Sequence, residues 1–440
     1  MHILFLFYPL IVFKMAIVCG ILNKISLQEY NMKFILVIGD GMADNPIPAL
    51  GGKTPLEAAA KPFLDFLAER GTVGSVQTIP EGFPPGSDTA IMSIFGCDPR
   101  KCYSGRAPLE LAAAGIVMPE GGAAYRCNMV SFEDGDMPLE ARRILSHSAG
   151  SIEGEESDAL IGALFAHPDF APAARAAGLT VYPGSSFRHL VVQENADITG
   201  IFLAPPHDHL NQVCGPLLPS GCPNAAVLRA LMEKAFAILD HHPINEKRRG
   251  EGRLPANGIW FWAEGRGAKL PDFTRAYGAS GGVVSAVPLC HGIARLAGLT
   301  PVSVPTATGE WDTDYEAKTK AALDILLAHD FAAVHLEGPD EATHNHDLPH
   351  KISSIECLSE RVLRPLVGEL ERRGEDFRLL VLSDHKTYME NGAHGGDPVP
   401  YLLYDSRVQK GSGCAYTEKN GGKGPFLDEG IKLMPALFAQ

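Results

Sequence analysis

Beyond residue 31 the chain alternates short, wholly apolar runs with longer stretches in which apolar residues recur every three or four positions. Short apolar runs bounded by glycine, aspartate or proline read as strands buried on both faces, and the longer periodic stretches as helices covering them. Lys33–Ile38 is the first such strand. Thr54–Arg70 reads as one helix: Thr54 caps it, Pro55 takes its first position, Glu57 its third, and Gly71 ends it. Gly74–Ile79 follows as a strand. After the loop at 80–86, Ala90–Phe95 reads as a short helix. Gly281–Val287 and Gly292–Ala297 read as strand then helix, Tyr315–His329 as an amphipathic helix, and Ala332–Leu336 and Leu379–Leu382 as two more buried strands. This alternation predicts an α/β fold, a mostly parallel sheet flanked by helices.

The texture changes near Gly115–Gly122. Residues 123–254 carry strand-like runs at Arg126–Phe132 and Phe187–Gln193, an acidic patch at Glu153–Asp158 and a turn at Pro205–His209. Apolar strand texture returns at Asn257–Trp262. The expected organisation is therefore a main domain at 32–118 and 255–440, with a smaller α+β domain inserted at 119–254. Lys247–Arg253, charged and glycine-rich, reads as a solvated linker.

Three of the apolar runs stop beside acids accompanied by imidazoles. Lys33–Ile38 runs into Gly39-Asp40-Gly41. Ala332–Leu336 runs into Glu337-Gly-Pro-Asp340, with His344 one helical turn further on. Leu379–Leu382 runs into Ser383-Asp384-His385, followed by His394. Ligands of open parallel sheets bind at the carboxyl ends of the strands, so these residues are placed to meet along one sheet edge. Asp340 and His344 are four apart, on one helix face. Three carboxylates and three imidazoles suit two divalent cations; imidazole nitrogen favours Mn²⁺ or Zn²⁺ over a pure Mg²⁺ site. His346 and His350, in the same region, read as surface residues.

Ser87 is the candidate nucleophile. It follows Pro84-Pro-Gly86 and precedes a short helix, where free amides and the positive end of the helix dipole suit a phosphate. A serine hydroxyl becomes a competent nucleophile when a metal lowers its pKa. The plainer alternative is that Ser87 only caps that helix. Planar guanidiniums grip phosphate and carboxylate in pairs. Arg106, Arg126 beside Asn128, and Arg188 beside His189 are the candidate anion clamp, with Asp88 next to the nucleophile. Arg266, Lys269 and Arg275 are weaker candidates. The glycine-rich tracts at 411–413 and 420–424 match neither a P-loop nor a dinucleotide fingerprint.

The chain of 440 residues has ordinary globular composition and a net charge of −14. That charge argues against a broad nucleic-acid or anionic-membrane surface but leaves room for a small anionic substrate beside metals. Nine cysteines, none in a C-x-x-C pair, read as reduced thiols of a cytoplasmic protein. Residues 1–31 are mostly apolar, without basic residues ahead of the run or an evident cleavage site. The preferred reading starts the protein at Met32 and treats 1–31 as an upstream over-read or a poorly ordered tail; a membrane anchor is the alternative. Oligomeric state is not legible.

Gly39–Asp44, Gly52–Glu57, Pro84–Asp88, Ser383–His385, Ala307–Gly309 and Asp312–Tyr315 together resemble motifs of the archaeal-type cofactor-independent phosphoglycerate mutases, in the alkaline phosphatase superfamily. The resemblance runs from Met32 to about Tyr404. It implies one metal held by Asp340, His344 and His394, and a second by Asp40, Asp384, His385 and the Ser87 oxygen. It implies that Ser87 takes the phosphoryl group of 3-phosphoglycerate and returns it to the 2-hydroxyl, a step of glycolysis and gluconeogenesis, while arginines grip glycerate. Asp384-His-Lys386 stands where the family usually has Asp-His-Pro, and residues 1–31 have no counterpart. A homoserine-kinase-like phosphotransferase or a metal-dependent phosphatase shares these motifs and is the alternative function. A sulfatase would need Cys-x-Pro-x-Arg, which is absent around Ser87.

Overall fold

The computed structural model describes residues 32–184, 186–408 and 410–439, so residues 1–31 lie outside the described residues. The chain divides into two compact units. Of the described residues, the first comprises 32–78, Tyr277–Ala286 and those from Val302 onward; the second comprises those of Ile79–Ala276 and Val287–Pro301.

The first unit is built on an eight-stranded sheet. Its order is Phe426–Leu427, Thr72–Val76, Val399–Asp405, Phe377–Leu382, Lys33–Gly39, Phe331–Leu336, Gly281–Val284 and Thr300–Val302. The centre is parallel: Lys33–Gly39 lies between Phe331–Leu336 and Phe377–Leu382 and runs with both. Val399–Asp405 is antiparallel to its neighbours, so the sheet is mixed toward that edge. Ile35, Leu36, Val37, Phe331, Val334, Leu379 and Leu382 are completely buried, as expected of strands with both faces covered.

The span read as one helix over Thr54–Arg70 is two. Thr54 and Glu57 form the expected reciprocal cap, but on a helix of Pro55–Ala58 only; a second helix runs Pro62–Arg70. Pro62 has no N–H to continue the ladder, and its ring pushes Lys61 out of the helical region (φ −122°, ψ 54°). A related effect appears in the long helical stretch from Leu348 to Arg373, which widens to a π-helical turn at Leu358–Leu363. Pro365 cannot donate to the carbonyl of Arg361; the Thr319 hydroxyl, which bonds the Tyr315 carbonyl at 2.8 Å, lies 3.2 Å from it.

The second unit is a five-stranded antiparallel sheet centred on Ala123–Phe132, which pairs with Arg188–Gln193 and with Gly258–Arg266. The helix Pro223–Leu239 packs Leu228, Met232 and Phe236 among Phe132, Trp260 and Phe261 in its main core. Ala107 and Leu111 of the helix Arg106–Ala113 pack with Ala124 and Val192 in a smaller core. With cores on both sides, every residue of Ala123–Phe132 is buried. This unit is broader than the stretch at 119–254: it also takes in 79–118, 255–276 and 287–301. Lys247–Arg253 is mostly solvated, as its composition implies, but it is not a linker. Most of it belongs to the helix Pro243–Gly250, whose Arg248 is 3 % exposed and bonds Glu156 at 2.7 Å and the Ala149 carbonyl at 2.7 Å. The rest of the segment is exposed or half-buried; Arg248 alone is buried, held by a partner nearly a hundred residues away.

Among the described residues no helix is long and apolar enough to cross a membrane.

Candidate metal centre

Register brings the acids of the first unit together. Ile38 pairs with His335 on one side and Leu382 on the other, so the three strands end level. Asp40, the turn Glu337–Asp340 and Ser383-Asp384 therefore emerge from adjacent carboxyl ends. Pro339 opens the helix Gly338–His344, which carries Asp340 in its first turn and His344 in its last. His394 returns through a two-stranded ribbon in which Thr387 pairs with His394.

Two groups of metal-ligand atoms result. Asp340, His344 and His394 form one; Asp40, Asp340 and His385 form the other, each with its ligand atoms within 4.8 Å of one another. Asp340 belongs to both, a sharing that spacing alone did not show. In the first group, the Nε2 atoms of His344 and His394 are 3.0 Å apart, and lie 3.1 Å from Asp340 Oδ2 and 3.5 Å from Asp340 Oδ1 respectively. In the second, His385 Nε2 is 3.6 Å from Asp40 Oδ1; Asp384 is in neither group, though its Oδ2 lies 3.2 Å from His385 Nε2. Five of the six expected ligands of the first unit fall into these two groups, and Asp384 lies beside the second. His346 and His350 join neither group; His350 pairs with Asp347 and stacks on Trp311.

The chemistry of these atoms fits cations. Asp40 and Asp384 are 1 % and 0 % exposed, and Asp40 Oδ1 and Asp384 Oδ2 have no hydrogen-bond partner among the described residues. A buried, unpartnered carboxylate oxygen is costly unless a metal or proton meets it. Burial pushes the Asp40 carboxyl well above its ordinary pKa, and the neighbouring Asp384, Asp340 and Glu337 push it further. Burial also raises Asp340, but hydrogen bonds from His344 and His394 more than offset it and hold the group low. Burial lowers His385, leaving a neutral imidazole able to ligate.

Behind the ligands stand residues whose roles sequence reasoning missed. His335 Nε2 lies 2.9 Å from Asp40 Oδ2 and its Nδ1 lies 3.1 Å from the Ser285 hydroxyl, so Asp40 is held by one oxygen with the other left open. Asp384 Oδ1 accepts from the amides of Gly41 and His385. The available signal for His335 was a lone polar residue inside an otherwise apolar strand.

The remaining candidates are in the second unit. Ser87 is the first residue of the helix Ser87–Ile94, and Gly86, not Ser87, occupies the capping position. Both oxygens of Asp88 are engaged, one by the Thr89 amide and one by the Tyr103 hydroxyl at 2.6 Å. Arg126 forks onto Glu110, and Arg106 approaches the same carboxylate at 3.5 Å. Arg126 stacks 4.7 Å over Trp262 and Arg188 lies 5.2 Å over Phe187. Burial lowers Arg188 to about 10, and Arg126 and Arg106 push the same way against Glu110. Arg188 Nε is buried without a hydrogen-bond partner among the described residues. Three guanidiniums facing one carboxylate leave an excess of positive charge, as an anion site requires. Asn128 and His189 are occupied internally: Asn128 bonds the His147 carbonyl and the Trp262 indole, and His189 the Ser157 hydroxyl and the Gly184 amide.

The sequence profile described as 2,3-bisphosphoglycerate-independent phosphoglycerate mutase matches residues 68–245. A relative of that name from Methanosarcina acetivorans is 41% identical over 397 residues, covering 89% of this chain and 96% of its own. The chain belongs to the 2,3-bisphosphoglycerate-independent phosphoglycerate mutase family. A second relative of that name, from Methanothrix thermoacetophila, is 41% identical over 93% of this chain and 100% of its own. Among solved structures, a Pyrococcus horikoshii protein matches with a TM-score of 0.74 at 29% identity, over 92% of this chain and 97% of that one. The cofactor-independent phosphoglycerate mutase of Thermoplasma acidophilum matches with a TM-score of 0.63 at 28% identity, over 92% and 99%. Membership of this mutase family agrees with the motifs at Gly39–Asp44 and Ser383–His385, the turns that carry Asp40, Asp384 and His385.

Proposed function

We propose that the protein is a phosphoglycerate mutase that interconverts 3-phosphoglycerate and 2-phosphoglycerate through a phosphoserine at Ser87, with two divalent cations, Mn²⁺ or Zn²⁺, and less readily Mg²⁺. The observation that carries this is a pair of buried, unpartnered carboxylate oxygens beside His385 in a chain of the mutase family. One cation belongs with Asp340, His344 and His394. The other belongs with Asp40, Asp384 and His385, with Asp340 alongside. Bound cations supply positive charge for the phosphoryl oxygens and lower the pKa of a coordinated hydroxyl.

The chain's own residues do the rest. The Ser87 oxygen forms a bond to phosphorus as the bond to the glycerate 3-oxygen breaks, and the proton that the Ser87 hydroxyl gives up passes to that oxygen, which leaves as a hydroxyl. The 2-hydroxyl of glycerate then attacks the phosphoserine, the bond from phosphorus to the Ser87 oxygen breaks, and the proton of the 2-hydroxyl passes to that oxygen, which regenerates Ser87. Amides at the start of the Ser87–Ile94 helix favour the phosphate dianion. Arg106, Arg126 and Arg188 hold the carboxylate of glycerate, with Asn128 and His189 keeping their scaffold in place and Asp88 fixing the turn after the nucleophile. The eight described cysteines are free, which supports a reducing, cytoplasmic setting.

The test is purified protein with Mn²⁺ and 3-phosphoglycerate, coupled to enolase. Steady formation of 2-phosphoglycerate is expected, and Ser87→Ala should abolish it with the circular dichroism spectrum unchanged. Turnover by the alanine variant would refute the phosphoserine route. Failure to form 2-phosphoglycerate, with O-phosphohomoserine made from homoserine and ATP, would overturn the mutase reading.

A further inference from the structure

We propose that Thr387 is the positioning residue shared by the two ligand groups, and that Lys351 holds it there. The inference rests on the two-cation reading above. The Thr387 hydroxyl donates to Asp340 Oδ1 at 2.6 Å and lies 3.2 Å from His385 Nδ1. A hydroxyl has one proton. It goes to Asp340, so toward His385 the Thr387 oxygen accepts, and Nδ1 carries the proton. The Lys386 carbonyl, 3.2 Å from the same Nδ1, has no proton to give and demands the same tautomer. His385 Nε2 is then left with its lone pair, facing Asp384 Oδ2 and Asp40 Oδ1. One side chain therefore orients the carboxylate common to both groups and the imidazole of one of them.

Thr387 is itself closely held. It is fully buried, its carbonyl accepts from Lys351 Nζ at 2.6 Å, and its amide donates to the Ala43 carbonyl at 3.1 Å. It also pairs with His394, so the backbone of the same residue sets the strand that carries an imidazole of the other group. Gly41 closes the remaining space: a Cβ there would lie 2.6 Å from Asp340 Oδ1 and collide with the Thr387 hydroxyl.

The experiment titrates the manganese-loaded full-length protein with EDTA and measures ions retained per chain, for the wild type, Thr387→Val and Thr387→Ser. Partners that orient metal ligands typically contribute about 10- to 100-fold in affinity, so the valine variant should release both ions at correspondingly lower chelator. The serine variant, which keeps the hydroxyl, should follow the wild-type curve. A valine curve that superimposes on the wild type overturns the proposal, and so does loss of one ion only. If the valine variant does not fold, Thr387→Cys, similar in size with a weaker donor, decides: early release supports the proposal and wild-type retention overturns it. A wild type that holds fewer than two ions overturns the two-cation reading itself, and the shared role falls with it.

Discussion

Lys351→Met isolates how the loop that carries His385 and Thr387 is held. Lys351 is 0 % exposed, and its ammonium meets Asp44 Oδ2 at 3.0 Å and the Thr387 carbonyl at 2.6 Å. Asp44, 3 % exposed, also accepts from the amides of Met389 and Asn45, and its own amide donates to Glu418, whose other oxygen accepts from Thr54. Removing the ammonium leaves the Asp44 carboxylate buried with amide partners alone. Breaking one partner of a buried ion pair costs about 3–5 kcal/mol. At a urea slope of about 2–3 kcal/mol per molar, the unfolding midpoint should fall by about 1–2 M, read by circular dichroism. The double variant Asp44→Asn/Lys351→Met removes both charges and should cost less than the sum of the singles, with a coupling of about 1–3 kcal/mol. A single variant within about 0.5 kcal/mol of the wild type, the range of ordinary surface changes, would refute the reasoning, as would strict additivity.

Gly41→Ala should weaken both manganese retention and thermal stability, because φ is +59° and the added methyl meets Asp340 and Thr387; an unchanged melting temperature with full ion retention would contradict this. Burial holds His189 at about 4, against an ordinary value of 6.5. Below 6.5 the unfolded chain takes up a proton that the folded chain refuses until about 4, so stability present at pH 7 is lost on acidification. The difference between pH 7 and pH 5 is about 2 kcal/mol from this residue alone. His189→Gln should flatten the pH dependence of unfolding by that amount, and an unaltered slope would show that His189 is not the source.

Strand ends and local spacings were legible. Asp40, Asp340 and Asp384 each follow an apolar run, Asp340 and His344 share a helix face by arithmetic, and Thr54 with Glu57 announced its own cap. The helix over Thr54–Arg70 was misjudged because its periodicity outlasted the break at Pro62, where the proline should have taken precedence. Arg248 was misjudged because charge signals exposure unless a partner such as Glu156 intervenes, and partners distant in sequence leave no local mark.

What this sequence determined by itself was the set of donors and the elements that present them, since apolar runs, caps and fourfold spacing are properties of neighbouring residues. The level ending of three strands, the sharing of Asp340, the orientation of Asp40 by His335 and the placing of Lys351 under the Thr387 carbonyl were decided only by the tertiary structure. Each depends on sheet register and on contacts between segments tens to hundreds of residues apart. Burying a charge or a polar group alone is costly, and only a partner brought from another segment offsets that cost, so no stretch of chain encodes it alone.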